Sequence, residues 1–134
     1  MIYLGNQAVG VAVGVGKFTQ YEKKTAVGAG NSNTLMQISI SFDPKLVLFS
    51  GGTDETGHII SGVMDFTNTV GAALYRNSSS SAMSTSGYRP QYTDSAPAAN
   101  ATQFKYYNGT LYMSRANANG FFASTDTFTF EIYG

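Results

Sequence analysis

The sequence predicts an all-β chain, specifically an antiparallel β-sandwich of jelly-roll type with about eight short strands. Three observations carry this. Apolar residues recur at every second position in most segments, the spacing that puts one strand face in a core and the other in water. An Asn-Gly pair, Asn108-Gly109, sits between two alternating runs and marks a two-residue hairpin. No segment carries the 3.6-residue period of an amphipathic helix.

The elements follow in order. In Val9-Gly10-Val11-Ala12-Val13-Gly14-Val15-Gly16 every odd position is valine and every even one is Gly or Ala. One face of this strand buries, and the other is nearly bare backbone that lets another chain approach closely. Left open it would template aggregation. Residues 1–16 are therefore expected to form an oligomerisation strand, with Val9, Val11, Val13 and Val15 in the interface. Residues 18–24 make a weaker, polar strand, and the Gly- and Asn-rich residues 28–33 a loop. In residues 35–42, Met36, Ile38, Ile40 and Phe42 point inward and Gln37, Ser39 and Ser41 outward. Asp43-Pro44 ends the strand, because proline cannot donate to a ladder.

Leu46-Val47-Leu48-Phe49 is an unbroken apolar run, expected as a strand buried on both faces. Residues 51–57 read as a polar loop, 58–66 as the returning partner strand and 70–76 as a further strand, with a short helix as the alternative there. Residues 77–87, with four consecutive serines, read as a low-complexity loop. Residues 88–99, with Pro90 and Pro97, read as an irregular excursion of the kind that often carries function. After the Asn108-Gly109 hairpin the chain closes with Phe128, Phe130 and Ile132 on one face of a last strand. The whole, residues 1–134, is expected as a single sandwich domain.

Composition excludes several functions. Charged residues are 12% of the chain, with 8 Lys plus Arg against 8 Asp plus Glu. A net charge of zero lacks the basic excess that nucleic acid demands. It also removes the attraction to anionic lipid. No apolar run approaches the roughly 20 residues that span a bilayer, so no membrane insertion is expected. The first residues show no basic region followed by an apolar one, so no signal peptide is expected. A charge-balanced surface repels its own copies weakly, which favours self-association.

Catalytic patterns are missing. The chain has no Cys and a single imidazole, His58. Nucleophilic catalysis needs an oriented base beside its nucleophile, and no G-x-S-x-G surrounds any serine, so His58 is read as structural or solvated. Asp54 and Glu55 are adjacent, a poor geometry for an acid/base dyad, and their loop lacks the alternating ligands of a calcium loop. No metal and no cofactor is expected, and the Gly-rich runs do not fit a phosphate loop. Three Asn-x-Ser/Thr matches, at Asn77, Asn100 and Asn108, bear on function only along a eukaryotic secretory route. Tyrosine joins a flat apolar ring to a polar tip and favours interfaces. Tyr88, Arg89 and Tyr92 in the long excursion are thus the candidate ligand or partner contacts, with a sugar as the ligand class. The plainer alternative has them sealing that excursion to the sandwich.

The run Phe42-Asp43-Pro44-Lys45-Leu46-Val47 resembles the Phe-x-Pro-Lys-x-Val strand start of small β-rich proteins encoded beside bacteriophage and prophage tail genes. The opening Tyr3-Leu4-Gly5-Asn6 and the closing Phe128-Thr129-Phe130-Glu131-Ile132-Tyr133-Gly134 are similar to the same group. The resemblance spans the two ends and the middle strand; residues 77–99 fall outside it. It implies a virion structural protein of a tail, fibre or baseplate, made in the bacterial cytoplasm. Such a protein is homo-oligomeric, a trimer being one form open to it, and contacts other virion proteins and a host-surface glycan. It carries over no functional residue. The rival reading is a carbohydrate-binding or host-surface adhesive module.

Overall fold

The computed structural model describes residues 18–27, 35–53, 58–76, 84–98, 103–114 and 127–134. They contain ten strands: β1 (Tyr21–Val27), β2 (Met36–Ser39), β3 (Leu46–Thr53), β4 (His58–Asp65), β5 (Val70–Arg76), β6 (Ser84–Tyr88), β7 (Gln91–Tyr92), β8 (Gln103–Tyr107), β9 (Thr110–Ser114) and β10 (Thr127–Tyr133). Six form one sheet in the order β1-β10-β3-β4-β5-β6, and four form a second in the order β2-β9-β8-β7. Pairing is antiparallel except at β7 and β8, which run parallel over two residue pairs.

Period-two patterning places the core between the sheets. Phe128, Phe130 and Ile132 of β10 are fully buried, and their partners across the ladder are Gly51, Phe49 and Val47 of β3. From the facing sheet come Met36 and Ile38 of β2, Phe104 and Tyr106 of β8, and Leu111 and Met113 of β9. Rings bridge the layers: Phe49 lies 5.4 Å from Phe104, and Tyr88 meets the Phe104 ring edge-on at 4.9 Å. Each buried large apolar side chain contributes about 1.5–3 kcal/mol. One core thus holds both sheets, the two-layer arrangement expected.

The Asn108-Gly109 hairpin forms as the sequence predicts. Asn108 and Gly109 have φ of 46° and 79°, and β8 and β9 pair directly across them. The turn also supports its neighbour, since Ile40 N–H donates to the Gly109 carbonyl at 2.9 Å.

Several expectations need correction. Ten strands are present among the described residues, against about eight expected for the whole chain. The extra ones, β6 and β7, fall where loops were expected. Ser84 to Tyr88 pairs with Tyr75 to Gly71 of β5. Small polar residues give no apolar alternation, so pairing to an open sheet edge rather than burial makes this strand. The β3 strand is not buried on both faces: Val47 and Phe49 are interior, but Leu48 is 37% exposed because nothing among the described residues covers the outer face. Nor does a loop begin at Gly51, since β3 runs on to Thr53. Gly51 is half-buried against the core, where a Cβ would clash with Phe128 Cδ1. The polar strand expected at 18–24 lies at Tyr21–Val27. The jelly-roll refinement is not confirmed, as β3, β4, β5 and β6 lie side by side as a meander with β10 inserted between β1 and β3. Val9, Val11, Val13 and Val15 lie outside the described residues.

Candidate functional site

The chain passes from the first sheet to the second between Tyr88 and Gln91. Pro90 is buried at this corner, which leaves Arg89 pointing into solvent. Beside it stands the β4–β5 turn, residues 66–69. Here the Asp65 carboxylate accepts the Asn68 backbone N–H at 2.9 Å and its side-chain amide at 2.6 Å. Thr69 closes the turn with φ of 56°. A β-branched residue is strained in this left-handed region, where Gly or Asn sits easily. From the second sheet, Gln91 and Lys105 pair across β7 and β8, and Lys105 Nζ donates to Gln91 Oε1 at 3.1 Å.

These parts enclose an open cleft of about 810 Å³ lined by Asn68, Thr69, Tyr88, Arg89, Gln91 and Lys105, with Val70, Gly71 and Gly87. Two cations line it, Arg89 from the connector between the sheets and Lys105 from β8, and no carboxylate is in the lining. Its size is that of a small-ligand site.

The three residues singled out from sequence divide. Arg89 lines the cleft and is exposed. Tyr88 also lines it, but is only 8% exposed and belongs to the core. Tyr92 does not line it. Its ring packs on Phe66 and Tyr106, and its hydroxyl donates to the Pro44 carbonyl at 2.6 Å. Burial, then the Asp43 and Asp65 carboxylates, push the Tyr92 phenol above its ordinary value. Tyr88 is thus packed into the core, whereas Tyr92 makes these contacts and stays 48% exposed. Sequence reasoning missed Asn68, Thr69, Gln91 and Lys105. Only the parallel β7–β8 pairing brings Gln91 to Lys105.

A second surface is the outer face of the six-stranded sheet. Leu48, Val63, Val70 and Leu74 are 37%, 39%, 57% and 44% exposed, and Ala72 is exposed among them. Cross-strand pairing sets Leu48 beside Val63, Val63 beside Ala72, and Ser61 beside Leu74. A shallow depression of about 400 Å³ lies over Ser61, Gly62, Val63, Ala72, Ala73 and Leu74.

The carboxylates with described contacts are engaged in the fold. Glu22 holds Lys24 and Ser41, Asp65 caps its turn, and Glu131 accepts the Tyr133 hydroxyl. Among the described residues no three potential metal ligands come together. His58 opens β4 opposite Thr53, while Asp54 and Glu55 lie outside the described residues. Comparison with family models, with curated proteins and with solved structures gives no match.

Proposed function

We propose that this chain is a non-catalytic structural protein that assembles with its own copies through β-surfaces, of the virion tail, fibre or baseplate class that its sequence motifs resemble. The observation carrying the assembly reading is the outer sheet face with Leu48, Val63, Val70 and Leu74 exposed together. A contiguous apolar patch on a soluble domain marks an interaction surface, whereas scattered apolar residues need no explanation. The balanced charge, 8 against 8, leaves little repulsion between copies. The virion class, the particle as its location and other virion proteins as partners rest on the resemblance.

Because the chain has no Cys, one introduced thiol reports on one place. Ser61 is exposed within the patch, and Thr67 is exposed on the β4–β5 turn away from it. In Ser61→Cys the rate of thiol labelling is expected to fall as protein concentration rises, while Thr67→Cys keeps its rate. Equal, concentration-independent labelling of both would refute assembly through this face.

A further inference from the structure

We propose that the cleft at the end of the sandwich binds a saccharide bearing a carboxylate. This goes beyond the assembly reading and stands without it. The first argument is charge. Arg89 and Lys105 line the cleft, and neither forms an ion pair among the described residues. The acid on the turn, Asp65, has its oxygens held by Asn68 and forms no ion pair with either cation. Two cations that no carboxylate among the described residues pairs with directly favour an anionic ligand, and the planar guanidinium of Arg89 matches a carboxylate with two parallel hydrogen bonds.

The second argument is the rest of the lining. Gln91 gives its side-chain oxygen to Lys105, which leaves its amide N–H groups for a ligand and two ammonium donors on Lys105. Asn68 gives its amide donor to Asp65, which leaves its side-chain carbonyl to accept. Thr69 supplies a hydroxyl at the same rim. Sugar hydroxyls both donate and accept, so this mixture of neutral donors and acceptors beside two cations suits an acidic sugar. It suits a simple anion less well, as that has no use for the acceptors.

The third argument is what the cleft lacks. Tyr88 is buried, so no exposed ring offers a stacking face. Single-stranded nucleic acid is held by stacking along a basic groove, and here there are two cations on a chain of zero net charge. The opening of about 810 Å³ accommodates one or two sugar rings.

The test is calorimetric titration of the full chain with 3′-sialyllactose, a hyaluronan tetrasaccharide and trigalacturonate. Lactose, acetate and a thymidine oligonucleotide serve as comparisons. At least one acidic saccharide is expected to bind at least about tenfold more tightly than lactose or acetate, and more weakly as salt is raised. Arg89→Ala and Lys105→Ala are each expected to lower that affinity about tenfold, with Arg89→Lys in between. Arg89 is exposed, so its variants should melt as the parent does. Four results would overturn the proposal: no acidic saccharide binds; lactose or acetate binds equally well; the oligonucleotide alone binds; or Arg89→Ala and Lys105→Ala bind like the parent.

Discussion

Glu22 shows how much a single polar side chain can organise. It sits on β1, the edge strand of the larger sheet, on the half-buried side. Its Oε2 meets Lys24 Nζ at 2.6 Å, and its Oε1 accepts both the N–H and the hydroxyl of Ser41 at 3.0 and 2.8 Å. Charged residues turned inward on an edge strand discourage pairing with another sheet. The bond to Lys24, with help from Ser41, holds the Glu22 carboxyl below its ordinary value of 4.5. A lowered value means that the folded state favours the charged form. The stabilisation is therefore present above 4.5 and fades as pH drops below it. Glu22→Gln is expected to lower the urea midpoint near neutral pH, and the gap to the parent should narrow as the pH falls below 4.5. A constant gap across that range would contradict the role given to the charge. In the sequence this residue is one of several charges in a polar strand. Its purpose depends on Ser41, 19 positions away, and no local pattern joins the two.

Strands are legible where they alternate and obscure where packing rather than composition makes them. The β8–β9 hairpin and β10 were plain, because Asn108-Gly109 fits the positive φ that its turn needs and Phe128, Phe130 and Ile132 keep strict period two. The β6 strand was hidden because Ser84-Thr85-Ser86-Gly87 has no apolar face. Gly51 was read as the start of a loop, and Gly62 as an ordinary strand position with no packing role. At Gly62 in β4 a Cβ would stand 2.6 Å from Phe49 Cζ and 2.8 Å from the Ala72 carbonyl oxygen, so the missing side chain makes room for a core ring. Gly62→Ala is expected to destabilise the fold by about 3 kcal/mol, the upper end for overpacking a core. Gly87→Ala, whose Cβ would meet only the Gly71 carbonyl oxygen at 4.0 Å, should stay within about 0.5 kcal/mol. Chemical denaturation of the two variants checks this, and equal losses would contradict the close-packing account.

At the scale of the molecule, the two-layer all-β architecture was readable because every apolar face needs a partner sheet. The two candidate surfaces were readable only in part. Arg89 stood out in its Pro-flanked segment, yet the cleft also needs Lys105 from the second sheet and a strained Thr69, which no sequence rule places in a left-handed conformation. The apolar outer face hid inside a run, Leu46 to Phe49, that looked interior throughout. Only the sheet order shows Leu48 turning outward beside Val63.

Those outward side chains are where the account is most exposed to test. Light scattering coupled to size exclusion, run across concentration, compares the parent with the double variant Val63→Lys/Leu74→Lys. Both sites are exposed, so the fold should tolerate the charges. The parent is expected at a whole multiple of 14.3 kDa, and the double variant at 14.3 kDa. A parent that stays at the single-chain mass at every concentration, or a double variant that assembles as the parent does, would contradict assembly through this face.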